Sequence, residues 1–344
     1  GLALVAPQEY PGITCQLLDV SVSHVTDSAI YSHYARSILD EFDLTEPAFK
    51  VALRDRQRWI QRYLPFNAEP SVSAYPCREQ GVYVITGGLG NIGLTLAHAL
   101  AEKYKAKLVL IGRTAVPAQE MWDEFARQNP NDPLIPKIKQ LQKIKSKASE
   151  LVVITADVAS ASQMEEVLST VESQMGSING VIHAAGQVHG SVTPMSSLTD
   201  ADVEDQYLAK VNGLITLDKV LSARNPDFIV CMSSLSTVLG GLGFTAYAAA
   251  NAFMDSFVAA KHNLGDDTWL SINWDGWNFD VANDIHTPAF GNKDNFSVTP
   301  LQGVNAFFHA LQVADAPELI HSTGDLQSRL DKWINASSHI ASGT

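Results

Sequence analysis

Cysteine is scarce in this chain: three among 344 residues, Cys15, Cys77 and Cys231, odd in number and far apart. That spacing gives neither a disulfide framework nor a zinc-ligand cluster, so reduced thiols in a cytoplasmic protein are expected, with no metal. Long apolar runs are missing too. None approaches the ~18 residues of a membrane span, and the first residues do not show the basic stretch, apolar core and cleavage site of a secretory signal. Charged residues make up 18% against 46% hydrophobic, which argues against disorder and supplies ample material for a core. Positive charge is the scarcer sign, with 24 Lys and Arg against 37 Asp and Glu and a net charge of −13. A nucleic-acid binder needs a basic face. Only residues 137–147 concentrate lysine (Lys137, Lys139, Lys143, Lys145, Lys147), and they read as the solvated side of a helix.

The organisation changes along the chain. Residues 1–6 and 13–19 read as short strands around the turn Tyr10-Pro11-Gly12, 27–41 as a helix, and 48–64 as an alternation of apolar and charged positions. Residues 67–78, with Pro70, Ser71, Ser73 and Pro76, have the composition of a linker. From Gly81 onward short apolar runs at 82–86, 107–111, 151–156, 180–183, 227–232, 269–273 and 318–321 alternate with helix-length amphipathic segments at 91–104, 160–175, 200–222, 243–263 and 300–314. Strands apolar throughout, each followed by a helix, predict an α/β fold: a doubly wound parallel sheet with its ligand crevice at the carboxyl ends of the strands. Residues 115–149 read as a helical insertion, and 337–344 as a small, polar, flexible tail.

Directly after the first run comes Thr86-Gly87-Gly88-Leu89-Gly90-Asn91-Ile92-Gly93, in which Gly88, Gly90 and Gly93 satisfy G-x-G-x-x-G between strand and helix. Glycines let the backbone turn tightly against a pyrophosphate, and the helix start offers free N–H groups to it. After the second strand, where an NAD enzyme places a carboxylate for the ribose, stands Gly112-Arg113-Thr114. A guanidinium there suits a 2′-phosphate and favours NADPH; a plain surface arginine is the other reading. Asp157, followed by Val158 at the end of the third strand, is placed to accept from an adenine amino group or to cap a helix.

Ser233-Ser234 ends the fifth run, and Tyr247 and Asn251 follow on one face of the next helix at i and i+4. The serine stands 13 residues before the tyrosine. On these residues the chain resembles the short-chain dehydrogenase/reductase superfamily, and within it the ketoreductase domains of modular polyketide synthases. Ordinary members carry lysine four residues after the tyrosine; here that position is Asn251, and Lys210, in Lys210-Val211-Asn212-Gly213, lies on the preceding helix, an exchange typical of the narrower family. His183-Ala184-Ala185-Gly186, Asn273-Trp274-Asp275-Gly276-Trp277 and Thr323-Gly324-Asp325-Leu326 look like that family as well. The resemblance covers residues 81–335 well and the first 80 more loosely. It implies a partial structural subdomain and linker at 1–78 and a catalytic domain at 79–336, with Ala184, Ala185 and Gly186 joining the glycine loop at the cofactor.

The chemistry can be reasoned from the side chains. Reducing a ketone takes hydride at carbon and a proton at oxygen. Tyr247 is the expected proton donor, Lys210 the ammonium that brings its pKa toward working range, Ser234 the hydrogen bond to the carbonyl, and Asn251 the group orienting the lysine or a relay water. The resemblance implies NADPH and, as partners, neighbouring synthase domains and an acyl carrier protein bearing a phosphopantetheine-linked β-ketoacyl chain. A carrier protein is acidic, so a local basic patch near the crevice, including the 137–147 helix, is expected. The Leu-Asp-Asp found after His-Ala-Ala-Gly in D-hydroxyl-forming relatives is replaced by Val188-His189-Gly190, and the tryptophan of the opposite type by Leu239, which leans toward the L-hydroxyl. Residues 279–299 read as a substrate lid, with Phe290 and Phe296 over the acyl chain, or as an ordinary surface loop. Two other functions compete: a catalytically silent scaffold, which the intact tetrad opposes, and a free-standing reductase of small ketones, which the exchanged lysine and asparagine oppose.

Overall fold

The computed structural model describes residues 1–21, 28–44, 48–54, 56–66, 76–187, 192–279, 296–312 and 316–335. Residues 1–6, expected as a strand, are helical: α1 spans Leu2–Glu9. An apolar run without alternation suits a buried helix as well as a strand, and here Leu4, Val5 and Ala6 are buried where α1 meets the helices of residues 236–239 and 245–263. A small sheet follows, with β1 (Leu17–Val20) parallel to β2 (Lys50–Arg54) and β2 antiparallel to β3 (Gln57–Ile60). Helix α2 (Ser28–Phe42) matches the expected 27–41 and supplies Tyr34 to a core with Val51 and Leu53. The 67–75 part of the expected linker and the tail lie outside the described residues.

The large sheet has seven strands: β4 (Val82–Thr86), β5 (Lys107–Gly112), β6 (Glu150–Thr155), β7 (Ile178–His183), β8 (Phe228–Ser234), β9 (Trp269–Trp274) and, last along the chain, β12 (Glu318–His321). The minor pair β10 (Gly276–Trp277) and β11 (Ser297–Val298) stands apart from it. Spatial order is β12-β9-β8-β7-β4-β5-β6, and every neighbouring pair is parallel. The chain leaves β4 toward one edge and returns to β7 on its other side, so the order reverses between β4 and β7, where a ligand crevice opens.

Alternate residues of each strand feed two cores. Tyr83, Ile85, Leu108 and Leu110 pack against α3 (Asn91–Tyr104), α5 (Ile135–Lys145) and, from later in the chain, Phe307 and Phe308. Val82, Val84, Val109 and Val181 face α6 (Ala161–Met175) with its Val167 and Leu168, and also Leu214, Leu217, Met254 and Val258. Being covered on both faces explains why β4 is apolar and buried at nearly every position. The insertion holds α4 (Trp122–Gln128) as well as α5.

The segment expected as one helix over 200–222 is continuous but irregular: α7 (Asp200–Tyr207) passes through a π-helical turn at Leu208–Asn212 into α8 (Gly213–Leu221). The remaining helices are α9 (Ser236–Leu239), α10 (Thr245–Asn263), α11 (Pro300–Gln312) and α12 (Leu326–Leu330). The lysines of 137–147 are spread along α5 and just beyond it. Lys143, Lys145 and Lys147 lie toward the end of α5 that leads into the amino end of β6, away from the crevice, and Lys147 pairs with Glu102 of α3. Among the described residues no helix is long and apolar enough to cross a membrane, and no group of three or more His, Cys, Asp or Glu could hold a metal.

Candidate active site

The glycine loop crosses the carboxyl end of β4 next to the strand-order reversal. Its glycines have separate reasons. Gly87 has φ +67°, and a Cβ there would meet Ala184 O at 2.5 Å. A Cβ on Gly93 would meet Gly87 O at 2.6 Å, so helix and loop touch backbone to backbone. At Gly90 only Gly87 O, at 3.2 Å, stands near, and the space beyond is open. No side chain caps α3, whose N-cap is Gly90, so the amides of Asn91, Ile92 and Gly93 face that space. The amides of 91–93 and the bare Gly90 form a cradle that fits a dinucleotide's pyrophosphate, while Thr86 is held buried on His183, Gly88 is pressed against Leu110 and Leu89 packs into the core.

Around it stand the other expected cofactor residues. Arg113, just past β5, is exposed and forms no ion pair among the described residues. Asp157 turns its carboxylate to the amide of Ala159 at 3.0 Å, and Ser160 is the N-cap of α6, so the side chain closes its own turn beside buried Val158. Ala184, Ala185 and Gly186 leave β7 beside the loop, with Ala184 N donating to Thr86 O at 3.0 Å. Before them, His183 pairs its Nδ1 with Thr86 Oγ1 at 2.7 Å, and burial pushes its pKa down to about 3, making it a neutral strut.

Three elements bring the tetrad together. Ser234 ends β8, with its Oγ accepting from Ser236 N at 3.2 Å. Tyr247 sits on the first turn of α10, and Phe244 packs beside it at 5.3 Å between ring centroids. Asn251 is wholly buried one turn later, with Nδ2 donating to Tyr247 O at 2.8 Å and Oδ1 left without a partner among the described residues. Lys210 comes from the π-helical turn, is buried, donates to Met232 O at 3.4 Å and places Nζ 5.6 Å from the centre of the Tyr247 ring. The extra residue of a π turn re-aims side chains relative to an α-helix. Gly186 makes room for the lysine, since a Cβ there would lie 2.8 Å from Lys210 Cε.

Burial moves both titrating groups toward their neutral forms. The Lys210 ammonium is pushed down to about 8, with Cys231 and Asp255 opposing the shift. Burial also raises the Tyr247 phenol, while hydrogen bonds with Ser234 and Asn251 draw it partway back. The expected lowering by Lys210 is not among these influences: its ammonium lies over the ring face, and the phenol keeps its proton.

Several contributing residues escaped the sequence reading. Asp255 continues the Tyr247–Asn251 face by another four residues, and that spacing was the available signal. It accepts from Ser271 Oγ at 2.6 Å and Asn273 Nδ2 at 2.8 Å. Asp275 and Thr323, noted in separate motifs, meet: Asp275 accepts from Thr323 N and takes Arg329 in a buried two-pronged ion pair, both prongs 2.8 Å. That pairing is structural. Phe296 stacks on the Arg329 guanidinium at 4.4 Å. Leu239 points into a core with Leu235 and Val238. Residues 280–295, with Phe290, and Val188, His189 and Gly190 lie outside the described residues.

Comparison with known proteins agrees with this geometry. The KR domain family model matches residues 81–278. The chain is 31% identical over 279 residues to a 6-methylsalicylic acid synthase of Penicillium expansum, covering 80% of this chain and 15% of that protein. It is 26% identical over 336 residues to polyketide synthase PksN of Bacillus subtilis (strain 168), covering 95% of this chain and 6% of that one. The chain thus spans a small part of the length of these relatives. In fold it matches a ketoreductase domain from the bacillaene assembly line (TM-score 0.73, 23% identity, 97% of this chain and 75% of that one). An A1-type ketoreductase gives a TM-score of 0.77 at 21% identity, with 96% and 65% covered. With more than half its length inside the family model, the chain belongs to the KR domain family, the ketoreductase domains of polyketide synthases.

Proposed function

We propose that this domain reduces a β-ketoacyl chain, tethered to an acyl carrier protein, to the β-hydroxyacyl product with NADPH. The observation that carries the reading is the meeting of Ser234, Tyr247, Asn251 and Lys210 beside an uncapped helix start. The backbone of 87–93 would hold the pyrophosphate, Arg113 the 2′-phosphate, and Asp157 and Val158 would flank the adenine. NADPH, when bound, supplies the hydride.

The chain's own residues account for the proton. Ser234 Oγ hydrogen-bonds the ketone oxygen and fixes it against the Tyr247 hydroxyl, which gives up its proton as negative charge develops there. Lys210, cationic below about pH 8, stabilises the phenolate that results. Asn251 holds the tyrosine backbone through Nδ2 and presents Oδ1 as an acceptor for the group that returns the proton. The tethered β-keto substrate follows from kinship with synthase domains; the side chains by themselves support carbonyl reduction.

The test is NADPH oxidation with a β-ketoacyl thioester, on the parent and on Tyr247→Phe. Turnover lost by about 10²–10⁴-fold in the variant, with NADPH still bound, supports the reading. Absence of NADPH binding in the folded parent would sink it.

A further inference from the structure

Two adjacent residues of α1 are built into the junction that precedes α10. Two connections meet at the β7–β8 side, away from the glycine loop: residues 239–243, running from α9 into α10 and toward Tyr247, and residues 192–195, downstream of β7. The first stretch has little intrinsic order, because Gly240, Gly241 and Gly243 all have positive φ, at +69°, +137° and +76°. Its order comes from α1. Gln8 Nε2 donates to Leu239 O at 2.7 Å, while Gln8 Oε1 accepts from Gly241 N at 2.8 Å. Glu9 then joins the two connections: one carboxylate oxygen accepts from Gly243 N at 2.8 Å and the other from Met195 N at 2.7 Å. Thr193 N donates to Gly243 O at 3.0 Å, closing the same junction.

A carboxylate accepts on both oxygens and its bonds are charge-assisted, so Glu9 can hold two amides at a fixed separation where an amide side chain offers only one acceptor oxygen. Glu9 touches none of the tetrad. Its lever is the loop that ends four residues before Tyr247.

We propose that Glu9 is a positioning residue: by pinning Gly243 to Met195 it sets the width of the crevice mouth, and so the pose in which a substrate carbonyl reaches Tyr247. Gln8 shares the task. The idea rests on the reductase reading above for its substrate, but the clamp can be measured without turnover.

The experiment takes the full chain and compares the parent with Glu9→Gln and Glu9→Ala. Amide hydrogen exchange, melting temperature, NADPH affinity, and kcat, KM and product enantiomer ratio with a β-ketoacyl N-acetylcysteamine thioester are followed. In Glu9→Gln the amides of Gly243 and Met195 exchange about tenfold faster while those of β4 and β8 hold. NADPH affinity stays at the parent's value, KM rises about tenfold and the enantiomer ratio falls toward unity. Glu9→Ala shows the same changes in larger measure; if it does not fold, Glu9→Gln decides alone. Unchanged exchange at both amides overturns the clamp. Faster exchange with unchanged KM and enantiomer ratio overturns its positioning role, as does a parallel loss of NADPH affinity and melting temperature, which would make Glu9 a general stabiliser. A parent that binds NADPH yet reduces no β-ketoacyl thioester fails the reductase reading instead, with the exchange data still deciding the clamp.

Discussion

Lys210 and Tyr247 share one pocket and respond to it as opposites: burial discourages the lysine's charge and equally discourages the tyrosine's. Near neutral pH the pair therefore rests as ammonium and phenol, the state from which a proton can be given. As the pH passes about 8 the ammonium is lost, and the rate of reduction should fall through that point; a pH–rate profile of the parent, set against the residual rate of Lys210→Met, checks it. Stability moves the other way. The lysine's folded pKa lies below its unfolded value of 10.5, so between about 8 and 10.5 the unfolded chain holds more protons and this residue's contribution to stability rises with pH. Denaturant titrations across that window should show the rise in the parent and lose it in Lys210→Met. Arg113 gives a second prediction: Arg113→Ala should raise the KM for NADPH by about tenfold or more while leaving NADH nearly unaffected, since one charge-assisted phosphate contact is removed.

The glycine loop separates stability from binding at the scale of a single element. Gly87→Ala puts a side chain at φ +67° and against Ala184 O, and should cost about 1–3 kcal/mol as well as nucleotide affinity. Gly90→Ala meets no such wall. It should melt well above Gly87→Ala and close to the parent, yet bind NADPH more weakly, because its methyl narrows the cradle; thermal melts with and without NADPH distinguish the two variants. The loop, the seven strands and their alternation with helices were readable because a two-sided parallel sheet needs short, wholly apolar runs and a phosphate loop needs glycine at set intervals. The π turn at Leu208–Asn212 was not readable: its residues have ordinary helical preferences, and the extra residue is held by packing, with Lys210 buried and Gly213 pressed close to Val158. The Gln8 and Glu9 clamp escaped for another reason, since its partners lie 186 to 234 residues away.

At the scale of the molecule the N-terminal segment is no appendage. Leu4, Val5 and Ala6 are buried against the helices beside Tyr247, and Arg78 pairs with Asp227 at the amino end of β8. Leu4→Ala should cost about 2–5 kcal/mol and lower a single unfolding transition followed by circular dichroism; a separate early transition would show that α1 is dispensable. The first residues were misread as a strand because Leu-Ala-Leu-Val-Ala has no period, and only the presence of α10 decides what an aperiodic apolar run becomes. The π turn has one more consequence, for how such domains lose activity. Deleting Ala209 would let the turn relax to α-helix and swing Lys210 by about 100° relative to the residues before it. Serine, tyrosine, asparagine and lysine would all still be present in the sequence, and the domain would be silent. On the reductase reading proposed above, a change in chain length alone would thus silence the site while every residue of the tetrad still stood in the sequence.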